Sequence, residues 1–367
     1  MSTVLTLPEM RRALGRRDPG YDGLFYFGVR TTGIFCRPSC SSRKPKPRNV
    51  EFFSNPREAS FAGYRPCKRC HPLEAGGAAP GWVRRLLERI ETRPESRMRD
   101  AELRRLGIEP ARARRWFLKH YGMTFQAYSR ARRMGRALHD IKRGIAMDEV
   151  AIGRGYESHS GFREAFAKTF GAAPAAAREQ DCILVGWMES PLGPLLAAAN
   201  SRHVVLVEFT ERRMLEAQFD TLRRRFRCAI VPGDNEHLRK LRDELVEYFD
   251  GRRRRFTVPL AFPGTPFQKK VWSELMKIPY GETRSYEDIA RAVGSASAVR
   301  AVGQTNGLNR ICVVIPCHRV VNKDGKLGGY GGGLWRKQAL LELEQGRRQL
   351  ELKAPEPAAQ WAWQKHG

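Results

Sequence analysis

Two close cysteine pairs near the N-terminus, Cys36 with Cys40 and Cys67 with Cys70, place the tightest constraint on how this 367-residue chain folds. Two such pairs separated by a loop suit a tetrahedral zinc site, each pair forming a knuckle whose thiolates the metal keeps deprotonated. On spacing alone, the site reads as a structural staple for a small domain. Leu24 to Val29, just ahead of the first pair, reads as a strand. The other four cysteines, Cys182, Cys228, Cys312 and Cys317, are scattered. A long cytosolic chain does not use such a set as a disulfide framework.

Lysine and arginine number 66 against 39 acidic residues, a net charge of +27. A chain this basic needs an anionic partner, most simply nucleic acid. A membrane surface is the other candidate, but no apolar run approaches the length of a spanning helix. Met1 to Leu7 lacks the long apolar core of a signal peptide. The expectation is a cytoplasmic protein with no membrane association.

Leu73 to Pro80, rich in glycine, alanine and proline, reads as a linker. Two similar units follow. In the first, Leu103, Leu106 and Gly107 precede Pro110 and a helix with Ala113, Trp116 and Phe117 on one face. In the second, Val150, Ala151, Gly155 and Tyr156 precede a helix with Phe162, Ala165, Phe166 and Phe170. Helix, glycine turn, helix is the helix-turn-helix pattern. The aromatic stripes read as core. Arg112, Arg114 and Arg115 in the first unit, and His159, Arg163 and Lys168 in the second, face outward towards a major groove. Glu109 stands where Ser or Asp would cap the helix better.

Further on, Ile183 to Trp187 and Val204 to Val207 read as strands, and Met214 to Phe226 and His237 to Phe249 as helices. No carboxylate set there suggests a metal nuclease, so this region is scaffold, with Cys182 and Cys228 buried and inert. Val271, Trp272, Leu275 and Met276 line one helical face, and Ile278 to Glu282 is a turn. Ser285 to Ala292 and Ala298 to Gly307 form another helix-turn-helix. The apolar run Ile311 to Ile315 reads as a buried strand or core-packed turn ending at Pro316-Cys317-His318-Arg319. Burial alone raises a thiol pKa, whereas an adjacent imidazole and guanidinium favour the nucleophilic thiolate.

Pro316 to Arg319, with Asn309, Tyr286, Arg300, Tyr330 and Glu344 at matching spacings, resembles the active site of the O6-alkylguanine-DNA alkyltransferases. Thr31 to Cys40 and Arg65 to Cys70 are similar to the N-terminal domain of the Ada-type bifunctional DNA repair proteins. The paired units, with Phe170-Gly171-Ala172-Ala173-Pro174, resemble the AraC-type module which that family carries at this place. The resemblance runs from about Asp22 to Glu344. It implies a multidomain α+β architecture. A small zinc-binding, methylphosphotriester-acceptor domain would occupy 1–78, and an all-α double helix-turn-helix AraC-type module 81–178. A ribonuclease H-like α/β domain would occupy 182–262, and an α-rich, winged-helix-like alkyltransferase domain 263–350. The tail 351–367 has no reading.

The implied function is stoichiometric, irreversible repair. Methyl groups would pass from O6-methylguanine, and O4-methylthymine, to Cys317, and from backbone methylphosphotriesters to zinc-bound Cys36. The methylated protein would activate transcription of the alkylation response. One Zn²⁺, both structural and reactive, would be held by Cys36, Cys40, Cys67 and Cys70, with His71 a bystander. Four thiolates leave the site formally at −2, which keeps Cys36 nucleophilic. Arg30, Arg43, Arg65, Lys68 and Arg69 would contact phosphates.

At the second centre the target base must leave the stack, and Arg300 would fill the vacated place. Cys317 would attack while His318 takes its proton through a water and Glu344 orients His318. Asn309 would fix the turn that carries the cysteine, and Tyr286 would donate to the leaving guanine. The Cys317 and Val320 carbonyls would accept from the guanine amine, and Tyr330 and Gly331 would close the pocket. Partners would be double-stranded DNA, damaged and promoter, and RNA polymerase during activation, with the protein a monomer. Two rival readings are a transcription factor with degenerate reactive centres and a Cys/His hydrolase.

Overall fold

The computed structural model describes residues 5–70, 72, 80–93, 95–178, 181–210, 212 and 215–350. His71, most of the linker and the C-terminal tail lie outside these residues. The N-terminal segment opens with α1 (Leu7–Arg16). A mixed sheet follows, built from β1 (Tyr26–Val29), β2 (Ile34–Cys36), β3 (Val50–Phe53) and β4 (Arg65–Pro66) in the order β3-β1-β2-β4. The short helix α2 (Pro56–Phe61), capped by the Asn55 side chain, packs on it. The expected strand from Leu24 thus begins at Tyr26. The sheet's small core of Tyr26, Phe35, Phe53 and Ala59 lies beside a second cluster that contains Cys36, Cys40 and Cys67.

Residues 81 to 170 are helical. Helix α3 (Gly81–Thr92) buries Val83, Leu86, Leu87 and Ile90, the i, i+3, i+4, i+7 stripe of an amphipathic helix. The two helix-turn-helix units are α4 (Asp100–Arg105) with α5 (Pro110–Tyr121), and α7 (Met147–Gly153) with α8 (His159–Phe170). The long helix α6 (Phe125–Lys142) joins them. Glu109 makes no side-chain cap on α5, whereas Ser158 caps α8 by accepting from Gly161 N. Gly122 and Gly171 end α5 and α8 in the left-handed conformation that glycine adopts without steric cost.

The next segment forms a four-stranded sheet, order β7-β6-β5-β8, from β5 (Ile183–Met188), β6 (Leu195–Ala199), β7 (Val204–Phe209) and β8 (Ile230–Pro232). Helices α9 (Leu215–Phe226) and α10 (Glu236–Phe249) accompany it. Periodicity in the sequence marks β5 and β7 but not β6 or β8. Strand β6 reads Leu-Leu-Ala-Ala-Ala and is buried at every position, so it shows no alternation. A single core runs from Leu86, Phe117 and Tyr121 of the first helical unit to Val185, Leu206 and Phe219 of this sheet and its helix. Trp116 and Trp187 meet across it with ring centroids 5.7 Å apart.

The last segment comprises α11 (Pro266–Met276), the two-stranded parallel ladder β9 (Arg284–Ser285) with β10 (Val320–Val321), α12 (Tyr286–Ala292), α13 (Val299–Gly307) and α14 (Leu334–Glu344). Capping boxes start α11 at Thr265 and α12 at Ser285. Val271, Trp272 and Leu275 are buried, but Met276, expected on the same face, is 39% exposed. The described chain groups into two compact units. One joins the N-terminal segment to residues 264–350, and the other joins the helical segment to the four-stranded sheet.

Candidate active site and metal centre

The run Ile311 to Ile315 forms a core-packed turn rather than a strand. Val313 sits at φ 71°, a conformation costly for a β-branched residue, so this turn stores local strain. Asn309 holds it. Its Oδ1 accepts from Ile311 N at 3.0 Å, and its Nδ2 donates to Ile315 O at 2.9 Å and to the Cys317 sulfur at 3.0 Å. Cys317 follows in a single helical turn, Cys317–Arg319, and is 4% exposed.

Behind the thiol lies a buried charge cluster. His318 Nε2 is 2.8 Å from Glu344 Oε1, at the end of α14. Arg319 grips the same carboxylate with Nε at 2.8 Å and a terminal nitrogen at 2.9 Å, and donates to Ile278 O at 2.6 Å. Burial by itself pushes the Glu344 carboxyl up, but His318 and Arg319 hold it well below the usual carboxylate range. Burial lowers the His318 pKa against the pull of Glu344, so its imidazole is neutral at pH 7. With Nε2–H donated to Glu344, Nδ1 is the acceptor. That atom is buried and has no hydrogen-bond partner among the described residues. A neutral imidazole held by a carboxylate with one ring nitrogen open has the chemistry required of a general base.

From adjacency in the sequence, both the imidazole and the guanidinium are expected beside the thiol. The structure corrects this for Arg319, whose guanidinium is engaged by Glu344 and Ile278. Two neighbours escaped the sequence reading. Asn306 Nδ2 donates to the Cys317 carbonyl at 3.2 Å. Lys337 is fully buried, donates to Val320 O at 2.5 Å and Gly328 O at 3.2 Å, and lies 5.9 Å from the Tyr286 ring. Burial pulls its pKa down to about 8, while the charge on Cys317 opposes that shift. A lysine one turn into an unremarkable helix carries no sequence signal for burial.

Tyr286, at the start of α12, reaches the loop 328–333 and bonds Gly329 O at 3.4 Å. Burial, and then Cys317, raise its phenol pKa. Gly328 is required there, because a Cβ would come within 2.7 Å of the Tyr286 ring. Tyr330 is half-buried in this loop and Gly331 is exposed. Each of the Cys317 and Val320 carbonyls, although already bonded, keeps a second lone pair. Arg300 is exposed on α13, apart from the buried cluster.

In the N-terminal segment the four predicted cysteine sulfurs lie within 4.8 Å of one another. Cys40 and Cys67 are 4.0 Å apart, too far for a disulfide and close to the ~3.8 Å edge of a tetrahedral zinc–thiolate site. Backbone N–H groups of Arg37 and Arg69 point at the sulfurs of Cys70 and Cys67, at 3.5 and 3.4 Å. An all-thiolate donor set supported by amide donors fits one Zn²⁺. Arg30, Arg43, Arg65, Lys68 and Arg69 are exposed around it, with Arg30 3.6 Å from Glu51. Arg112, Arg114, Arg115, His159, Arg163 and Lys168 are likewise exposed on the helix-turn-helix units. The Arg112 guanidinium lies over Trp82, 5.0 Å from the ring centroid. Cys182 and Cys228 are half-buried rather than fully buried, and burial raises both thiols, Cys182 to about 11. Among the described residues, no helix is long and apolar enough to cross a membrane.

A buried thiol next in sequence to a carboxylate-held imidazole, a four-cysteine cluster that fits a metal and paired helix-turn-helix units point to a class: a DNA-binding protein with two candidate thiol centres. Four family models match in series. They are the metal binding domain of Ada (9–73), a helix-turn-helix domain (103–180), and the ribonuclease-like (183–262) and DNA binding (266–346) domains of 6-O-methylguanine DNA methyltransferase. The chain is 34% identical to the bifunctional transcriptional activator/DNA repair enzyme Ada of Escherichia coli, over 94% of this chain and 98% of that one. It is 33% identical to the regulatory protein ada of Salmonella typhimurium, over 89% and 94%. Its C-terminal part is 44% identical to a methylated-DNA–protein-cysteine methyltransferase of Mycobacterium tuberculosis, over 45% of this chain and 94% of that one. The chain belongs to the Ada family of bifunctional transcriptional activators and DNA repair enzymes.

Proposed function

We propose that this protein repairs alkylated DNA by accepting one methyl group at each of two cysteines, and that its methylated form activates transcription. The observation that carries the first centre is the orientation of His318, whose Nε2 is fixed on Glu344 while its buried Nδ1 stays open. Cys317 passes its proton, through a water, to Nδ1. The thiolate attacks the methyl carbon of O6-methylguanine, the S–C bond forms as the C–O bond breaks, and the electron pair leaves on guanine. Tyr286 returns a proton to the departing base. Asn309 steadies the sulfur, and the Cys317 and Val320 carbonyls accept from the guanine amine. The loop with Tyr330 and Gly331 closes over the base, and Arg300 fills the gap in the duplex. O4-methylthymine offers the same alkyl–oxygen bond. The thioether product has no leaving group, so each centre acts once.

At the second centre Cys36, Cys40, Cys67 and Cys70 would hold Zn²⁺, which supplies deprotonated thiolates at neutral pH. Cys36, 3% exposed, is the acceptor for methylphosphotriesters, with Arg30, Arg43, Arg65 and Arg69 on the phosphates. Methylation of one thiolate removes a negative charge near the DNA backbone, where phosphate contacts dominate affinity. Arg112, Arg115 and Arg163 then serve promoter binding by a monomer that engages RNA polymerase in the cytoplasm. The working boundaries are 1–78, 81–178, 182–262 and 263–350. The test is stoichiometric methyl transfer. Cys317→Ser should abolish transfer from O6-methylguanine while zinc remains bound and transfer from methylphosphotriesters persists. Undiminished base repair in that variant refutes the assignment.

A further inference from the structure

The N-terminal segment and residues 264–350 belong to one compact unit, and the turn Pro19–Tyr21 packs against α14 within it. Asp22 closes the turn Pro19–Tyr21 and reaches back to the first cysteine knuckle. Its carboxylate accepts from Ser39 N at 2.9 Å and from the Ser39 hydroxyl, between Cys36 and Cys40. The next residue, Gly23, has φ 88°, and a Cβ placed on it would lie 3.3 Å from the Trp335 indole. Trp335 is the second residue of α14. Gly333, at φ 96°, also lies against this indole and faces Gly20 O. The Arg336 guanidinium stacks 4.5 Å from the Trp335 ring and donates to Gly332 O at 2.7 Å. Lys337 follows, and its ammonium ties Val320 O to Gly328 O. A continuous set of contacts therefore links the zinc knuckle to the loop that closes over the alkylated base.

We infer that Trp335 is a positioning residue for alkyl transfer at Cys317, seated by the Pro19–Gly23 turn of the zinc-binding segment, so that loss of the metal centre slows the second acceptor. This rests on the proposed acceptor role of Cys317. Asp22 couples the knuckle to the turn, the turn clamps the indole, and the indole fixes the start of α14 and with it the Gly328–Gly333 loop and Lys337. The indole touches no reacting atom. Its contribution is the placement of groups that do, for which errors of about an ångström can cost on the order of a hundredfold in rate.

The experiment uses the full chain and free O6-benzylguanine, which needs no base flipping. Rate at saturating base, half-saturating concentration, zinc content and thermal midpoint are read together. Trp335→Ala should lower the saturating rate about ten- to hundredfold, and Trp335→Phe should restore most of it. Gly23→Ala, which drives a methyl group against the indole, should slow the reaction with zinc still bound. Chelation of zinc from the unaltered chain should slow Cys317 by a factor like that of Trp335→Ala, and should add little in that variant, because both changes break one linkage. Amide exchange at 328–337 should quicken on chelation, a readout that needs no chemistry at Cys317. Unchanged saturating rates in both variants, effects of chelation and Trp335→Ala that multiply, or unchanged exchange at 328–337 would each overturn the inference. Failure of the unaltered chain to alkylate Cys317 at all would instead count against the proposed function.

Discussion

Asn309 donates a hydrogen bond to the sulfur of Cys317 across 3.0 Å, and the same amide nitrogen binds Ile315 O at 2.9 Å. One side chain thus fixes the strained turn at Val313 and supplies a donor to the atom that becomes anionic. Asn309→Ala removes both, together with the acceptor for Ile311 N. Stability should fall by about 1–3 kcal/mol, the cost of buried groups left unsatisfied, as measured by urea unfolding. Single-turnover transfer should slow by at least about tenfold, a loss of ~1.4 kcal/mol in the barrier.

Glu344, itself buried, holds two partners, the neutral His318 imidazole and the Arg319 guanidinium. Arg319→Met removes one partner and leaves the carboxylate buried. That change should cost roughly 3–5 kcal/mol in equilibrium unfolding. The folded carboxyl titrates well below its unfolded value, so as pH falls the unfolded chain takes up the proton first. This stabilisation is therefore complete above pH ~4.3 and drains away below it. In the variant, acid unfolding should begin at a higher pH.

The groups that make up both candidate centres were legible in the sequence because they are local or carried by fixed spacings. The two cysteine pairs and the run from Pro316 to Arg319 say what chemistry is present. The direction in which each side chain points was not legible. Arg319 adjoins Cys317 in sequence but turns to Glu344, because a guanidinium buried in the core needs a carboxylate more than a thiol does. Lys337 was invisible because helix α14 is apolar on several sides and a lysine reads as surface. Strand β6 was missed because full burial on both faces erases the alternation that marks a strand. The shared core of Phe117 and Val185 could not be read from a linear division of the chain.

Lys337 should give the reaction an alkaline limb. Its ammonium holds Val320 and Gly328 carbonyls near the pocket, and burial has lowered its pKa to about 8. Above that pH the lysine becomes neutral and its support for a thiolate at Cys317 is lost. The rate constant with free O6-benzylguanine should fall through this range, and Lys337→Met should abolish the limb while slowing the reaction at pH 7. Stability should move the other way. The unfolded chain keeps this proton up to roughly pH 10.4, so the lysine's contribution rises with pH between the two values.

Arg300 lies exposed on α13, outside the buried cluster. The role proposed for it is confined to the duplex, where extrusion of a base costs a few kcal/mol. Arg300→Ala should slow repair of O6-methylguanine in duplex DNA by about tenfold or more and leave reaction with the free alkylated base within twofold. Equal slowing of both substrates would place Arg300 in the chemistry instead.

Two acceptor thiols with separate substrates are the centre of this account. Peptide mapping by mass spectrometry tests them most directly, after the zinc-loaded chain has been incubated with excess duplex carrying both O6-methylguanine and methylphosphotriesters. One methyl group should appear on Cys317 and one on Cys36, with none on Cys182, Cys228 or Cys312, and uptake should stop there however long the incubation. Methylation of neither cysteine, or spread across all eight, would contradict it.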